Sequence, residues 1–123
     1  PREIEVTLEA VTQSHNGRLL VLFHPHRYSR TKLLFKDFSE VLPRTDMLYI
    51  MDIYAAGEDP IKGVSSKTLC QSVIDKGGNS VRHLNGDDMV SEVLGELEEG
   101  DVLITLGAGN VWAFGEKIVE ELR

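Results

Sequence analysis

The chain has 123 residues, 41% of them hydrophobic, and a formal net charge of −7 at pH 7. That length suits one domain with its own core, and the acidic balance excludes a general nucleic-acid binder, which needs many basic side chains on one face. No run of about 18 apolar residues occurs, so no membrane span is predicted; the single cysteine, Cys70, excludes an internal disulfide and suits a reducing cytoplasm.

Ile4, Leu8 and Val11 recur at helical spacing and predict a helix ahead of the first strand. Residues 19–24, LLVLFH, form a short apolar run that reads as a buried strand. After the loop HPHRYSRT (24–31), Leu34, Phe38, Val41 and Leu42 mark a helix that Pro43 helps to stop. Residues 46–51, DMLYIM, read as a second buried strand. Leu69, Val73 and Ile74 form the next helical stripe, capped by Ser65 or Ser66 and ended by Gly77-Gly78. Residues 80–84, SVRHL, carry Arg82 and His83 and read as an edge strand. Val90, Val93, Leu94 and Leu97 predict a helix with Asp87 as cap and Gly100 as stop. Residues 102–106, VLITL, are a last buried strand, and Val111, Phe114, Ile118 and Leu122 a last helix.

Near-continuous apolar strands alternating with helices predict an α/β fold: a doubly wound, mostly parallel sheet with helices on both faces, in the order 3-2-1-4. Ligands of such sheets bind beyond the carboxyl ends of the strands, where the winding reverses. In this order the reversal lies between the first and last strands. The loops leaving them are HPHRYSRT and Gly107-Ala108-Gly109-Asn110, and DIYAAGEDP (52–60) leaves the same edge.

Each loop has a chemistry and a plainer competing reading. In the first, Arg27 and Arg30 offer planar forks for carboxylate or phosphate, and His26 adds a donor. Ser29 or Thr31 can cap the helix that follows. Together they suit a small anion; the competing reading is a solvated turn whose arginines pair with surface acids. His24, at a strand end, reads as a core histidine. A zinc site is not expected, because His24 and His26 lack nearby cysteines or paired carboxylates and the arginines repel a cation. In the second loop Tyr54 can form a wall and Glu58 can accept from an ammonium or hydroxyl, whereas Asp52 can fix Arg27 or Arg30; a bare turn at Gly57 and Pro60 is the alternative. In the third, Gly107, Gly109 and Asn110 let backbone approach a ligand, though tight helix–strand packing alone can demand the glycines. It lacks the third glycine of a dinucleotide fingerprint. No glycine-lysine-threonine phosphate loop and no serine–histidine–acid set is present, so the chain carries no complete catalytic set.

Taken together, FHPHRYSRT, DIYAAGEDPI and TLGAGNV resemble the C-terminal domain of the Mur ligases, over nearly the whole chain. The resemblance implies a Rossmann-like fold and one domain, residues 1–123, of a three-domain cytoplasmic enzyme of peptidoglycan synthesis. Within the family it points to the member that uses UDP-N-acetylmuramate and L-alanine. ATP and magnesium are implied for the whole enzyme, with a central ATPase domain as partner; no cofactor is expected tightly bound here, and neither nucleic acid nor membrane is an expected partner. Arg27 and Arg30 would then be catalytic, facing the activated carboxylate with His26 beside them. Tyr54 and Glu58 would line the amino-acid pocket, with Gly107, Gly109 and Asn110 at its end. The family normally carries Asp-Asp-Tyr-x-His-His-Pro before the first helix, and Pro1 resembles its last residue. An excised domain, inactive alone, is therefore expected. Two readings compete with it: a stand-alone module binding a small anion or nucleotide, and a small doubly wound hydrolase or reductase.

Overall fold

The computed structural model describes residues 2–14, 16–84, 89–107 and 111–122. Among the described residues five α-helices alternate with four strands: α1 (Arg2–Ser14), β1 (Leu19–His24), α2 (Tyr28–Val41), β2 (Met47–Met51), α3 (Ser66–Asp75), β3 (Val81–Leu84), α4 (Met89–Glu96), β4 (Val102–Gly107) and α5 (Val111–Leu122). The strands form one sheet in the order β3-β2-β1-β4, and every pairing is parallel. The expected order and the expected strands are thus present, with β2 and β3 each starting one residue later than the apolar runs suggested.

β1 explains the architecture. A strand with neighbours on both edges and helices on both faces has no polar surroundings, so its side chains must be apolar throughout. Leu19 to Phe23 are all 5% exposed or less. Leu19, Val21 and Phe23 join Leu48 and Ile50 beneath α1, α2 and α3, with Leu8, Phe38, Leu69 and Val73 as their partners. On the other face Leu20, Leu22, Met47 and Tyr49 meet Val93 of α4 and Ile118 of α5. Each such leucine contributes roughly 1.5–3 kcal/mol by leaving water.

The chain shapes its own stops. Ser65 caps α3, its side chain accepting from the Thr68 amide at 3.1 Å while Thr68 Oγ1 accepts from the Ser65 amide at 2.9 Å. Pro43 sits in a short 3-10 turn, Leu42–Arg44, where its missing N–H costs nothing. At the amino-terminal rim of the sheet Arg18 grips Asp101 through two bonds, Nε at 3.0 Å and Nη2 at 2.7 Å. That fork holds the Asp101 carboxyl below the usual carboxylate range. Two stripe residues point outward instead of in: Ile74 and Leu122 are exposed, because each lies beyond the narrow arc of its helix that faces the sheet. The cap assigned to Asp87 lies outside the described residues.

Candidate functional site

The winding reverses between β1 and β4, whose paired ends are His24 and Gly107. Just beyond His24 the first two loops zip together. His26 and Tyr54 form a parallel bridge. The Tyr54 amide donates to the Pro25 carbonyl at 3.0 Å, and the Arg27 amide donates to the Tyr54 carbonyl at 2.7 Å. The His26 ring stacks on Tyr54 at 5.1 Å, and the His24 ring meets the same tyrosine edge-on at 6.1 Å. Tyr54 is therefore fastened to the first loop by backbone bonds and by ring stacking.

Arg27 is the N-cap of α2, with φ 67° and ψ 139° and no side-chain cap bond. A non-glycine residue at positive φ is strained by about 1–3 kcal/mol. The bond to Tyr54 and two bonds to the Arg27 carbonyl, from the Thr31 amide at 3.1 Å and from Thr31 Oγ1 at 2.8 Å, hold it there. This corrects the expected cap. Ser29 and Thr31 have suitable side chains, but the turn at Arg27 starts the helix before them, and Thr31 is buried in its first turns. The cap comes instead from the second loop. Glu58 Oε1 accepts from the Ser29 amide at 2.9 Å, and Glu58 Oε2 accepts from Ser29 Oγ at 2.5 Å. A turn presents that glutamate: its amide bonds the Ala55 carbonyl at 3.0 Å, and Ala56 and Gly57 between them both have positive φ.

Glu58 thus fills the anion position at the start of α2, where sequence reading had it free to accept from a ligand. The two Ser29 bonds hold its carboxyl below the ordinary glutamate range. A depressed carboxyl contributes stability above its unfolded value, and that contribution is lost as pH falls through the folded value. The Ser29 amide resonance is expected to hold steady from neutral pH through the ordinary glutamate range and to move only below that range. Glu58→Gln is expected to shift that amide at neutral pH. An amide spectrum recorded across the acid range checks both, and a Ser29 signal indifferent to the substitution would contradict the contact.

A cavity of about 710 Å³ opens at this rim. Arg27, Arg30 and His26 line it on the side of the first loop, Gly107 on the side of β4, and Phe23, Leu34 and Leu106 give it an apolar floor. Its remaining wall is α1, through Glu3, Ile4 and Thr7. Nothing in the residue types singled α1 out as part of a site; the only signal was that its apolar stripe begins at Ile4, so that its first turn must sit near the sheet. Tyr54 and Glu58 bind the first loop but do not line the cavity, and Ala108, Gly109 and Asn110 lie outside the described residues.

The pairing of the arginines is informative. Arg2 pairs with Glu5, Arg18 with Asp101, Arg44 with Glu5 and Arg82 with Glu96, all at 3.3 Å or less. Among the described residues Arg27 and Arg30 form no ion pair, although the chain is acidic. Arg27 does help to hold the Glu58 carboxyl low, so the plainer reading of a turn whose arginines serve surface acids fails most clearly for Arg30. Asp52 does not fix them either: its carboxylate contacts the His83 imidazole across the ends of β2 and β3. Cys70 is buried in the core, which pushes its thiol up to about 11 and leaves it inert as a nucleophile. Among the described residues no three His, Cys, Asp or Glu side chains stand together to hold a metal, and no helix is long and apolar enough to cross a membrane.

The family model for the glutamate ligase domain of Mur ligases matches residues 1–109. The chain is 44% identical over 124 residues to the UDP-N-acetylmuramate–L-alanine ligase of Syntrophotalea carbinolica, covering 100% of this chain and 27% of that protein. It is 45% identical over 125 residues to the ligase of the same name from Geobacter sp. strain M21, with the same coverage. The corresponding ligase of Syntrophomonas wolfei is 38% identical over 122 residues, which is 99% of this chain and 26% of that protein. The chain therefore spans about a quarter of the length of these relatives.

Proposed function

Starting from the premise that this chain belongs to the Mur ligase family, we propose that it is the C-terminal, substrate-closing domain of a ligase that joins L-alanine to UDP-N-acetylmuramate in cytoplasmic peptidoglycan synthesis. One observation carries the reading beyond likeness: two guanidinium groups that form no ion pair among the described residues line a cavity at the point where the sheet reverses its winding.

The physical role follows from that placement. Arg30 lies one helical turn beyond Arg27, so both forks are held by the start of one rigid helix. Planar forks align a carboxylate through two parallel bonds, which a flexible ammonium cannot do. Aligning the amino acid converts a chance encounter with the activated carboxyl into a positioned one. As nitrogen attacks, negative charge grows on the carbonyl oxygen, and fixed positive groups stabilise it most once closure has excluded water. ATP and magnesium are assigned to the rest of the enzyme. The sequence has no glycine-lysine-threonine loop, and the described residues offer no cluster of three metal-ligating side chains. When bound, ATP supplies the phosphoryl group that activates the carboxyl.

Reconstitution tests the proposal. The full-length enzyme containing this chain is expected to release phosphate only when ATP, UDP-N-acetylmuramate and L-alanine are all present. Release with a different amino acid in place of L-alanine would reassign the substrate. Absence of turnover with any amino acid would favour a binding module.

A further inference from the structure

We propose that Glu3 is a specificity-determining residue of this cavity, receiving the ammonium group of the amino acid whose carboxylate the arginines hold. The inference rests on the functional reading above and names a residue for the opposite end of the same ligand.

The rotation of α1 decides which of its acids reach the cavity. Its buried side is fixed by Leu8, with Ile4 and Val11 packed at the edge of the same core. Its acids then divide into two flanks. Glu5 is bonded by Arg2 at 3.3 Å and by Arg44 at 2.9 Å, and Glu9 lies 4.0 Å from Arg44. These ties anchor one flank to the turn after α2. Glu3 and Thr7, four residues apart and so on one face, occupy the other flank and line the cavity. The Thr7 hydroxyl is spent on the Glu3 carbonyl at 2.8 Å, which leaves the glutamate carboxylate as the polar group α1 offers there. Among the described residues that carboxylate makes no hydrogen bond or ion pair.

Arg27, Arg30 and Glu3 therefore line one cavity, and among the described residues Glu3 is paired with neither arginine. If Glu3 served only to balance the arginines, it would be paired with them, as Glu5 is with Arg44. The separation leaves room for a guest carrying both signs of charge. A simple carboxylate or a phosphate satisfies the arginines but meets repulsion from Glu3, and a simple amine does the reverse. An α-amino acid satisfies both ends, with its small side chain left to the apolar floor.

In the full-length enzyme Glu3→Gln is expected to raise KM for L-alanine at least 10-fold, because a site built for a charged partner discriminates strongly once that partner is lost. KM for ATP should stay within about twofold, and Glu3→Asp should recover part of the loss. A helix-packing role would instead shift all the KM values and lower the melting temperature. An unchanged KM for L-alanine overturns the assignment. A second measurement separates this from failure of the functional reading: amide spectra of this chain titrated with L-alanine, propionate and ethylamine. L-alanine is expected to perturb residues 3–7 and 27–30 at lower concentration than either other probe, and Glu3→Gln should reduce it to the level of propionate. Propionate matching L-alanine on the unaltered chain overturns the role of Glu3 and spares the arginine clamp. Silence at both segments with every probe overturns the site itself.

Discussion

Replacing Arg30 with alanine in the full-length ligase is expected to lower kcat roughly 100- to 1,000-fold, the loss seen when a fixed charge-stabilising donor is removed, while the melting temperature stays within a degree or two. The two halves of that expectation have separate causes. Arg30 is an exposed residue of the first turn of α2 with no ion pair among the described residues, so removing it deletes no folded-state partner. Its fork faces the cavity, so the loss falls on whatever negative charge is held there. Arg30→Lys should recover only part of the rate, because a point charge on a flexible stem does not reproduce two parallel bonds. Arg27 is a less clean probe, since its backbone is itself strained at φ 67° and bonded to Tyr54. Alanine there keeps the strain, whereas glycine would relieve it and loosen the junction of the two loops. Steady-state kinetics with melting curves on the Arg30 variants decide the matter, and near-normal turnover in Arg30→Ala would remove the clamp from the mechanism.

What could be read from residue order alone was whatever periodicity and position in the sheet control. β1 was legible because a central parallel strand must be apolar on both faces, and once its place was known the rim carrying Arg27, Arg30 and Gly107 followed. What could not be read was set by contacts between segments distant in sequence. Ser29 has the right chemistry for a cap, yet the cap is Glu58, 29 residues on, because the backbone turns at Arg27 before Ser29 is reached. Asp52 was placed correctly at a strand end, but its partner is His83, one strand further out, since β2 pairs with β3 on that side. Nothing in the sequence singled out Glu3, and only the packing of α1 against the sheet brings it to the cavity that the arginines line.

Gly107→Ala is expected to destabilise the fold by about 3 kcal/mol, which for a domain of this size is a fall of roughly 10 °C in melting temperature. Two costs add. Gly107 has φ 134°, a region that side-chain-bearing residues rarely adopt, and a Cβ there would lie 2.5 Å from the His24 carbonyl oxygen. That oxygen belongs to the backbone of the central strand, so it cannot swing aside as a flexible side chain would. The clash lies where β1 and β4 end together, so relieving it means parting the two strands at the mouth of the cavity. The experiment thereby separates two reasons for a glycine at this rim. If strand packing demands it, thermal unfolding shows the loss in the absence of any ligand. If the glycine serves only to let a ligand approach the backbone, the variant melts like the parent protein and the defect appears in substrate binding alone. The short distance to His24 favours the first outcome, and with it the view that the cavity's charge recognition rests on the arginines and Glu3 rather than on the backbone of Gly107.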